Sequence, residues 1–275
     1  MKTAKSSILF LIVIGLLFSM TTSAQTAIQT VDFETDGAGY TASPSDYYMS
    51  GSGSATSPDD YWARTNGTAT EDGGEINLWS DGITFSSSQG TWFWAGEDTD
   101  NTSCTLTLDQ TSISGYTNLQ VKFLAAAANL NSIETIDFLK VEYSIDGGAN
   151  SILVQFIGDD GSAGSSWYHE DVGGDGTIDD GGATLSQLFT EYTYNIPTTG
   201  STLQLRFSAH NGSGEDLAFD NIRILDTTPV PVELVNFTAS ILEEGVVLNW
   251  QTATEVNNYG FTLERKSGEE NSEWE

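Results

Sequence analysis

The sequence has very few of the residues that form disulfide bonds or bind metals through nitrogen and sulfur. Cys104 is its single cysteine, and His169 and His210 are its two histidines. A single cysteine excludes an intramolecular disulfide framework. One cysteine and two histidines also cannot complete the usual zinc sites, which take most of their ligands from these two residue types.

Basic residues are scarce as well. The chain has 9 Lys and Arg against 39 Asp and Glu, and its formal net charge is −30. This balance argues against nucleic-acid binding, which needs a cationic surface, and against docking on an anionic membrane. Disorder is not expected, because hydrophobic residues make up 38% and aromatic residues 11% of the chain, and they recur in short apolar runs.

Residues 1–24 have the layout of a secretory signal peptide. Lys2 and Lys5 precede an apolar run over 8–20, and small residues follow it up to Ala24. A charged, then apolar, then small-residue order is typical of a cleaved signal, and the apolar run is too short for an ordinary membrane span. We therefore expect cleavage after Ala24, export from the cell and no membrane insertion of the mature chain.

From residue 25 onward the pattern predicts β-strands joined by turns. Short runs of Val, Ile, Thr and aromatic residues alternate with clusters of Gly, Ser, Asp and Asn, and the run at 119–124 alternates between apolar and polar residues. Asp146 and Gly147 have the signature of a hairpin turn. The predicted strands cover 28–34, 61–65, 75–78, 91–95, 104–108, 119–126, 138–144, 151–157, 189–195, 202–208 and 218–225. Over residues 25–226 this series predicts an all-β fold, a two-sheet jelly-roll sandwich.

A second domain is predicted after a short linker. Pro229 and Pro231 lie in the segment 227–232, and closely spaced prolines are typical of a stiff linker. Three further strands are predicted at 233–240, 245–252 and 260–266, with a buried Trp250 in the second. Because three strands cannot form two packed sheets, we interpret 233–275 as an incomplete immunoglobulin- or fibronectin-type-III-like sandwich in a chain that looks truncated.

Two motifs near the ends of the first domain resemble those of extracellular jelly rolls. They are VDFE at 31–34 and AFDNIRI at 218–224, a pairing similar to that of MAM domains, several carbohydrate-binding modules and bacterial choice-of-anchor modules. WFWAGEDTD at 92–100 and ISGYTNL at 113–119 look like modules on surface proteins of Bacteroidota. The resemblance implies a secreted or cell-surface protein on the outer-membrane exterior of a Gram-negative bacterium.

The C-terminal part carries a second resemblance. PVELVNFTA at 231–239 and LNWQTATEVNNYGFTLER at 248–265 are similar to the fibronectin-type-III-like module that precedes the C-terminal sorting domain of proteins exported by type IX secretion. This resemblance implies type IX export.

The first resemblance also implies a structural calcium ion. In related jelly rolls an acid of the opening segment and an aspartate of the closing segment share an ion, and the matching residues here are Glu34 and Asp220, with Asp32 or Asn221 as further ligands. Ca²⁺ takes six to eight oxygen ligands of this kind. The alternative is that these acids lie in solvent at strand ends.

Aromatic residues predict a surface for sugars. Pyranose C–H faces pack on aromatic rings, and neighbouring polar side chains fix the hydroxyl groups. The candidates are Trp92 and Trp94, which share one face of a strand, and Trp167 and Tyr168, which lie in a polar loop. The alternative is that they are core residues, as most tryptophans of a sandwich are.

Sequence motifs for catalysis are missing. The E-x-D-x-x-E motif of jelly-roll laminarinases and the G-x-S-x-G nucleophile elbow do not occur. We therefore expect a non-catalytic, calcium-stabilised adhesion or glycan-binding module whose partner is an extracellular polysaccharide or a cell-surface glycan. The alternatives are an accessory domain of a larger secreted enzyme and a glycan hydrolase or lyase built on the same jelly roll, which would need two carboxylates flanking the bond.

Overall fold

The computed structural model describes residues 25–44, 47–49, 60–66, 85–99, 104–128, 130, 133–159, 167–179, 182–197, 199–212, 215–227, 234–242 and 245–252. The predicted signal peptide at 1–24 and the predicted strands at 75–78 and 260–266 lie outside these residues. The chain divides into two compact units, of which the larger is Gln25–Thr228 and the smaller contains Pro229–Glu275. Among the described residues, no helix has the length and apolar character needed to cross a membrane.

All regular structure in the described residues is β-structure. The strands are β1 (Thr26–Val31), β2 (Tyr40–Ser43), β3 (Tyr47–Met49), β4 (Asp60–Thr65), β5 (Phe93–Glu97), β6 (Cys104–Leu108), β7 (Thr111–Ser112), β8 (Leu119–Ala128), β9 (Phe138–Ile145), β10 (Ser151–Gly158), β11 (Tyr168–Val172), β12 (Thr190–Asn195), β13 (Thr202–His210), β14 (Asp216–Asp226), β15 (Leu234–Leu242) and β16 (Gly245–Thr252).

The larger unit contains two antiparallel sheets. The first has the strand order β12-β8-β14-β5-β4-β3, with β1 also paired to β14, and the second has the order β11-β10-β9-β13-β6-β2, with β7 also paired to β13. The inner strands of the two sheets, β12-β8-β14-β5 and β10-β9-β13-β6, have the sequence order of a jelly roll, in which consecutive strands mostly alternate between the sheets. The predicted all-β, two-sheet jelly-roll sandwich is confirmed for this unit.

The core lies between the two sheets. Phe207 of the second sheet packs against Phe123 and Phe219 of the first, with ring centroids 5.4 and 4.7 Å apart. Phe156 and Tyr192 make a similar contact across the sheets at 4.7 Å. Alternate residues of strands β6, β8 and β13 point into this core, as the period of two in their sequences predicts.

The first sheet also has an apolar layer on its outer face. Ala126 and Ala218 cluster there with Phe93 of the same sheet and with Phe189, and the ring centroids of Phe93 and Phe189 are 5.3 Å apart. Ser86 forms backbone hydrogen bonds with Gln187 and Phe189, including one from Phe189 N to Ser86 O at 2.9 Å. Burial on both faces explains why β8 ends in a run of four buried alanines instead of continuing to alternate.

The hairpin predicted at Asp146 and Gly147 is confirmed. Strands β9 and β10 pair antiparallel across it, and both turn residues have positive φ, at 53° and 68°. Two positive φ angles are what a type I′ turn requires, and Asp-Gly is among its preferred sequences. Strand β11, by contrast, begins at Tyr168, which the sequence predicts to lie in a polar loop.

Cys104 begins strand β6 and is 1% exposed. Burial raises the pKa of its thiol to about 12. The side chain therefore behaves as a small apolar core residue.

The smaller unit is described only in the hairpin formed by β15 and β16, which pair antiparallel from Leu234 to Thr252. Trp250 is 39% exposed there, so the expectation of a buried tryptophan is wrong for the described residues. The completion of this hairpin into a fibronectin-like sandwich stays a prediction.

Candidate functional site

Just after strand β1, the buried aromatic residue Phe33 lies between two acidic residues, Asp32 and Glu34. Phe33 is 1% exposed, and its ring contacts those of Tyr40 and Phe219 at centroid distances of 5.2 and 5.9 Å. Its φ of 59° is unusual for a residue with a bulky side chain. With Phe33 held in the core, Asp32 and Glu34 flank it at the turn.

Glu34 binds the backbone of a distant loop. Its Oε1 accepts hydrogen bonds from the backbone N–H groups of Thr91 and Trp92, at 2.7 and 2.9 Å. Gly90 has a φ of 75°, and a Cβ atom there would lie 2.3 Å from the same carboxylate oxygen. Glycine is therefore required at this position for both its conformation and its lack of a side chain. Residues 89–92 are called the anchored loop below.

Asp220 holds the other end of the anchored loop. This fully buried residue accepts a hydrogen bond from Gln89 N at its Oδ2, at 2.7 Å, and one from Asn221 N at its Oδ1, at 2.6 Å. Asn221 has a φ of 46°, and the pairing of β14 with β8 shifts register between Asp220 and Arg223. The sheet irregularity turns the Asp220 carboxylate toward the loop.

The four residues expected to bind calcium lie in one place. Burial raises the pKa of Asp220 to about 7, and the negative charges of Glu34 and Asp32 act in the same direction, whereas hydrogen bonds from Gln89 and Asn221 oppose them. Asp32 also accepts a hydrogen bond from Glu34 N, at 3.2 Å. The structure thus gathers repelling carboxylates at the anchored loop.

The side chains at the anchored loop offer oxygen donors to a metal ion. Carboxylate and amide oxygens are the hard donors that Ca²⁺ prefers, and the repulsion around buried Asp220 is relieved by a cation. In the described part of the chain, however, no three His, Cys, Asp or Glu side chains are already arranged as a metal-holding group. The chemistry of the donors fits calcium, and the remaining ligands would be backbone carbonyl groups and water.

Arg64 is the cation beside the anchored loop. Its Nε donates to Phe33 O at 2.5 Å and its Nη2 to Glu34 O at 3.2 Å. Its guanidinium carbon also lies 3.6 Å from the centroid of the Trp92 ring. One side chain therefore ties the turn after β1 to the residue at the end of the loop.

Three of the four aromatic residues expected to bind sugar do not present a free ring face. Trp94 and Tyr168 are buried, at 1% and 0% exposure, because their strand faces point into the core between the sheets. Trp92 is half-buried against that core, and the guanidinium group of Arg64 covers its ring. The predicted role in sugar binding is wrong for Trp94 and Tyr168 and is not supported for Trp92.

Trp167 is the exposed member of the predicted set. It is 37% exposed, and its backbone N donates to Asp159 Oδ1 at 2.9 Å. Asp159 Oδ2 lies 3.1 Å from His169 Nε2, and Asp159 N donates to Trp167 O at 3.1 Å. Asp159 therefore holds the backbone of Trp167, just before edge strand β11, and contacts the imidazole ring of His169 within that strand.

Arg64 and Asp159 were not among the residues expected at a site. Their roles depend on contacts with residues that are distant in sequence or with the backbone, and neither leaves a motif. The one available signal for Asp159 is its position in an acidic stretch just before the Trp167-Tyr168-His169 sequence.

Comparison with known proteins gave only distant structural similarity. No protein-family model matches the chain, and no curated protein matches it. The K3 cleaved adhesin domain of Lys-gingipain from Porphyromonas gingivalis W83 is similar at 14% identity and a TM-score of 0.39, over 73% of this chain and 98% of that one. The CBM22-1 xylan-binding domain of Paenibacillus barcinonensis Xyn10C is similar at 12% identity and a TM-score of 0.37, over 76% and 99%. At these values neither similarity assigns a family or a ligand to this chain.

Proposed function

We propose that the unit Gln25–Thr228 is a non-catalytic, extracellular binding module for a polysaccharide or cell-surface glycan, and that Ca²⁺ stabilises its anchored loop. The observation that carries the proposal is the exposed Trp167, whose backbone N–H donates to Asp159 while the other oxygen of that carboxylate contacts His169. An aromatic face with polar groups at its edge is what a sugar ring needs, because the C–H face packs on the indole and the hydroxyl groups bond to the polar groups.

Replacing Trp167 by alanine is expected to weaken polysaccharide binding about tenfold, or by about 1.4 kcal/mol, because the mutation removes the stacking surface. Affinity electrophoresis in gels containing xylan, mixed-linkage glucan or mannan measures the retardation of the protein. Trp250→Ala is the matched control, since Trp250 has a similar exposure of 39% but belongs to the smaller unit.

Three results would contradict this part of the proposal. They are the absence of retardation on every polysaccharide, equal retardation of the Trp167→Ala variant and the parent protein, and an equal loss in Trp250→Ala. Release of reducing ends from a retarded polysaccharide would overturn the non-catalytic assignment.

The calcium part of the proposal is supported by the repulsion among Asp220, Glu34 and Asp32, which a bound Ca²⁺ ion would relieve while orienting the anchored loop. Saturating Ca²⁺ is expected to raise the melting temperature by about 5 °C relative to EGTA, because a ligand that binds only the folded state stabilises it. The Asp220→Asn substitution is expected to reduce this shift. Differential scanning calorimetry measures the effect.

Asp109→Asn is the control for the charge change, because Asp109 is exposed and its backbone, not its side chain, makes its described hydrogen bonds. It should keep the full calcium response. An unchanged calcium-induced shift of the melting temperature in Asp220→Asn would contradict calcium binding at the anchored loop. It would not bear on the glycan-binding proposal, which has its own test.

A further inference from the structure

A second pair of buried acids lies between the two sheets, away from the anchored loop. Asp137 directly precedes β9 of the second sheet and Glu215 directly precedes β14 of the first, and each is 1% exposed. Both acids lie at the same end of the sandwich. His210, the last residue of β13, pairs with Phe138, the residue after Asp137, and Glu215 follows His210 closely in the sequence. Burial raises the pKa of Glu215, and the negative charge of Asp137 acts in the same direction. We call Asp137 and Glu215 the inner acid pair.

Among the described residues, the side chain of Glu215 has no hydrogen-bond partner in another residue. Both of its carboxylate oxygens are nevertheless buried. The hydroxyl group of Tyr168 is also buried and has no hydrogen-bond partner among the described residues. Burial raises its pKa most, and the charges of Asp137, Glu215 and Asp216 act in the same direction. Buried polar atoms are nearly always hydrogen-bonded, so several unsatisfied atoms at one point indicate a ligand that occupies it.

The charge of the inner acid pair is not balanced by protein cations. His210 Nδ1 lies 3.5 Å from Asp137 Oδ1, and no lysine or arginine of the described residues forms an ion pair with Asp137 or Glu215. Burial raises the pKa of Glu215 to about 7. Ionised carboxylates in such a place cost several kcal/mol unless a counterion accompanies them.

We propose that the inner acid pair binds a second Ca²⁺ ion, which joins the end of one sheet to the end of the other. Carboxylate oxygens are hard ligands, and Ca²⁺ accepts irregular sets of carboxylates, backbone carbonyl groups and water. Mg²⁺ is disfavoured because it demands near-ideal octahedral geometry and gives up its water molecules reluctantly. With two carboxylates, the dissociation constant is expected to be in the range of about 10⁻⁴–10⁻³ M, as in extracellular calcium modules.

Calcium titration of the purified protein by isothermal calorimetry tests this proposal through the number of bound ions. The parent protein and the exposed-charge control Asp109→Asn are expected to bind two Ca²⁺ ions, one at each site. Glu215→Gln and Asp137→Asn are each expected to weaken one of the two sites at least about tenfold and to leave the other unchanged. Mg²⁺ in place of Ca²⁺ is expected to give no comparable heat at the inner acid pair.

The Asp220→Asn variant separates this proposal from the one for the anchored loop. A calcium site that survives Asp220→Asn but is lost in Asp220→Asn/Glu215→Gln supports the inner acid pair even if the anchored loop binds no ion. Unchanged calcium binding in folded Glu215→Gln and Asp137→Asn would overturn the proposal.

A stability measurement covers the case in which a variant folds poorly. Glu215→Gln removes the buried charge but keeps the shape of the side chain, so in EGTA it should melt higher than the parent protein at neutral pH. Added Ca²⁺ should then reduce the difference in melting temperature between Glu215→Gln and the parent protein. A higher melting temperature of Glu215→Gln that Ca²⁺ does not narrow would show that a proton, and not a metal ion, neutralises the pair.

Discussion

Replacing Trp94 by alanine is expected to destabilise the larger unit by about 3–5 kcal/mol, the range for removing a large aromatic side chain from a packed core. Trp94 is 1% exposed, and its ring lies 5.6 Å from the ring centroids of both Tyr40 and Trp62. The alanine variant would leave a cavity among rings that are fixed by several other contacts and cannot collapse into it. Urea unfolding followed by circular dichroism measures the loss.

Trp167→Ala is the control for Trp94→Ala. Because Trp167 is 37% exposed, its replacement should cost clearly less free energy of unfolding than that of Trp94, about 1 kcal/mol. The two tryptophans were expected to serve the same surface, and the structure gives them opposite roles. Similar stability losses in the two variants would contradict the assignment of Trp94 to the core and Trp167 to the surface.

Arg64→Ala is expected to cost about 2 kcal/mol of stability. The variant loses two charge-assisted hydrogen bonds to the carbonyl groups of Phe33 and Glu34 and the contact with the Trp92 ring. A hydrogen bond to a charged group contributes about 1.5–3 kcal/mol and a cation–π contact about 0.5–1 kcal/mol, and partial exposure of Arg64 reduces the sum. Chemical denaturation of the purified variant gives the value.

Arg64→Lys and Arg223→Ala test the reason for that loss. Lysine keeps the charge but cannot donate in the planar fork of arginine, so Arg64→Lys should recover less than half of the stability. Arg223 forms a surface ion pair with Glu191, and its replacement should cost less than about 1 kcal/mol. Full recovery in Arg64→Lys would show that charge alone, and not the two directed bonds, stabilises the turn.

The fold class was predictable because strand periodicity and turn chemistry are local. Leu119, Val121 and Phe123 alternate with polar residues, and each of them lies in the core. The face that becomes the core was harder to predict. The pattern correctly indicates that Trp94 points away from Phe93, but both faces of the first sheet are covered, so the pattern does not show which residue lies between the sheets. Burial of this kind is decided by the packing of distant segments.

Only those residues of the site that lie in sequence motifs could be predicted. The opening and closing motifs placed Glu34 and Asp220 together, and the structure does bring them to one loop. Their partners there are backbone N–H groups, which every residue but proline carries and which therefore leave no mark in a sequence. Glu215 could not be predicted for a different reason. Nothing in the sequence distinguishes one buried carboxylate from the many exposed ones.

Burial of Cys104 also bears on how copies of this protein behave toward one another. Disulfide formation starts from an accessible thiolate, and the folded unit offers neither access nor a thiolate at ordinary pH, since the thiol is 1% exposed and burial raises its pKa to about 12. Because this sequence has a single cysteine, a disulfide between copies of it joins two molecules through Cys104. A covalent dimer that disappears under reducing conditions therefore marks chains that have opened at strand β6, and the folded module should remain a free monothiol in an oxidising buffer.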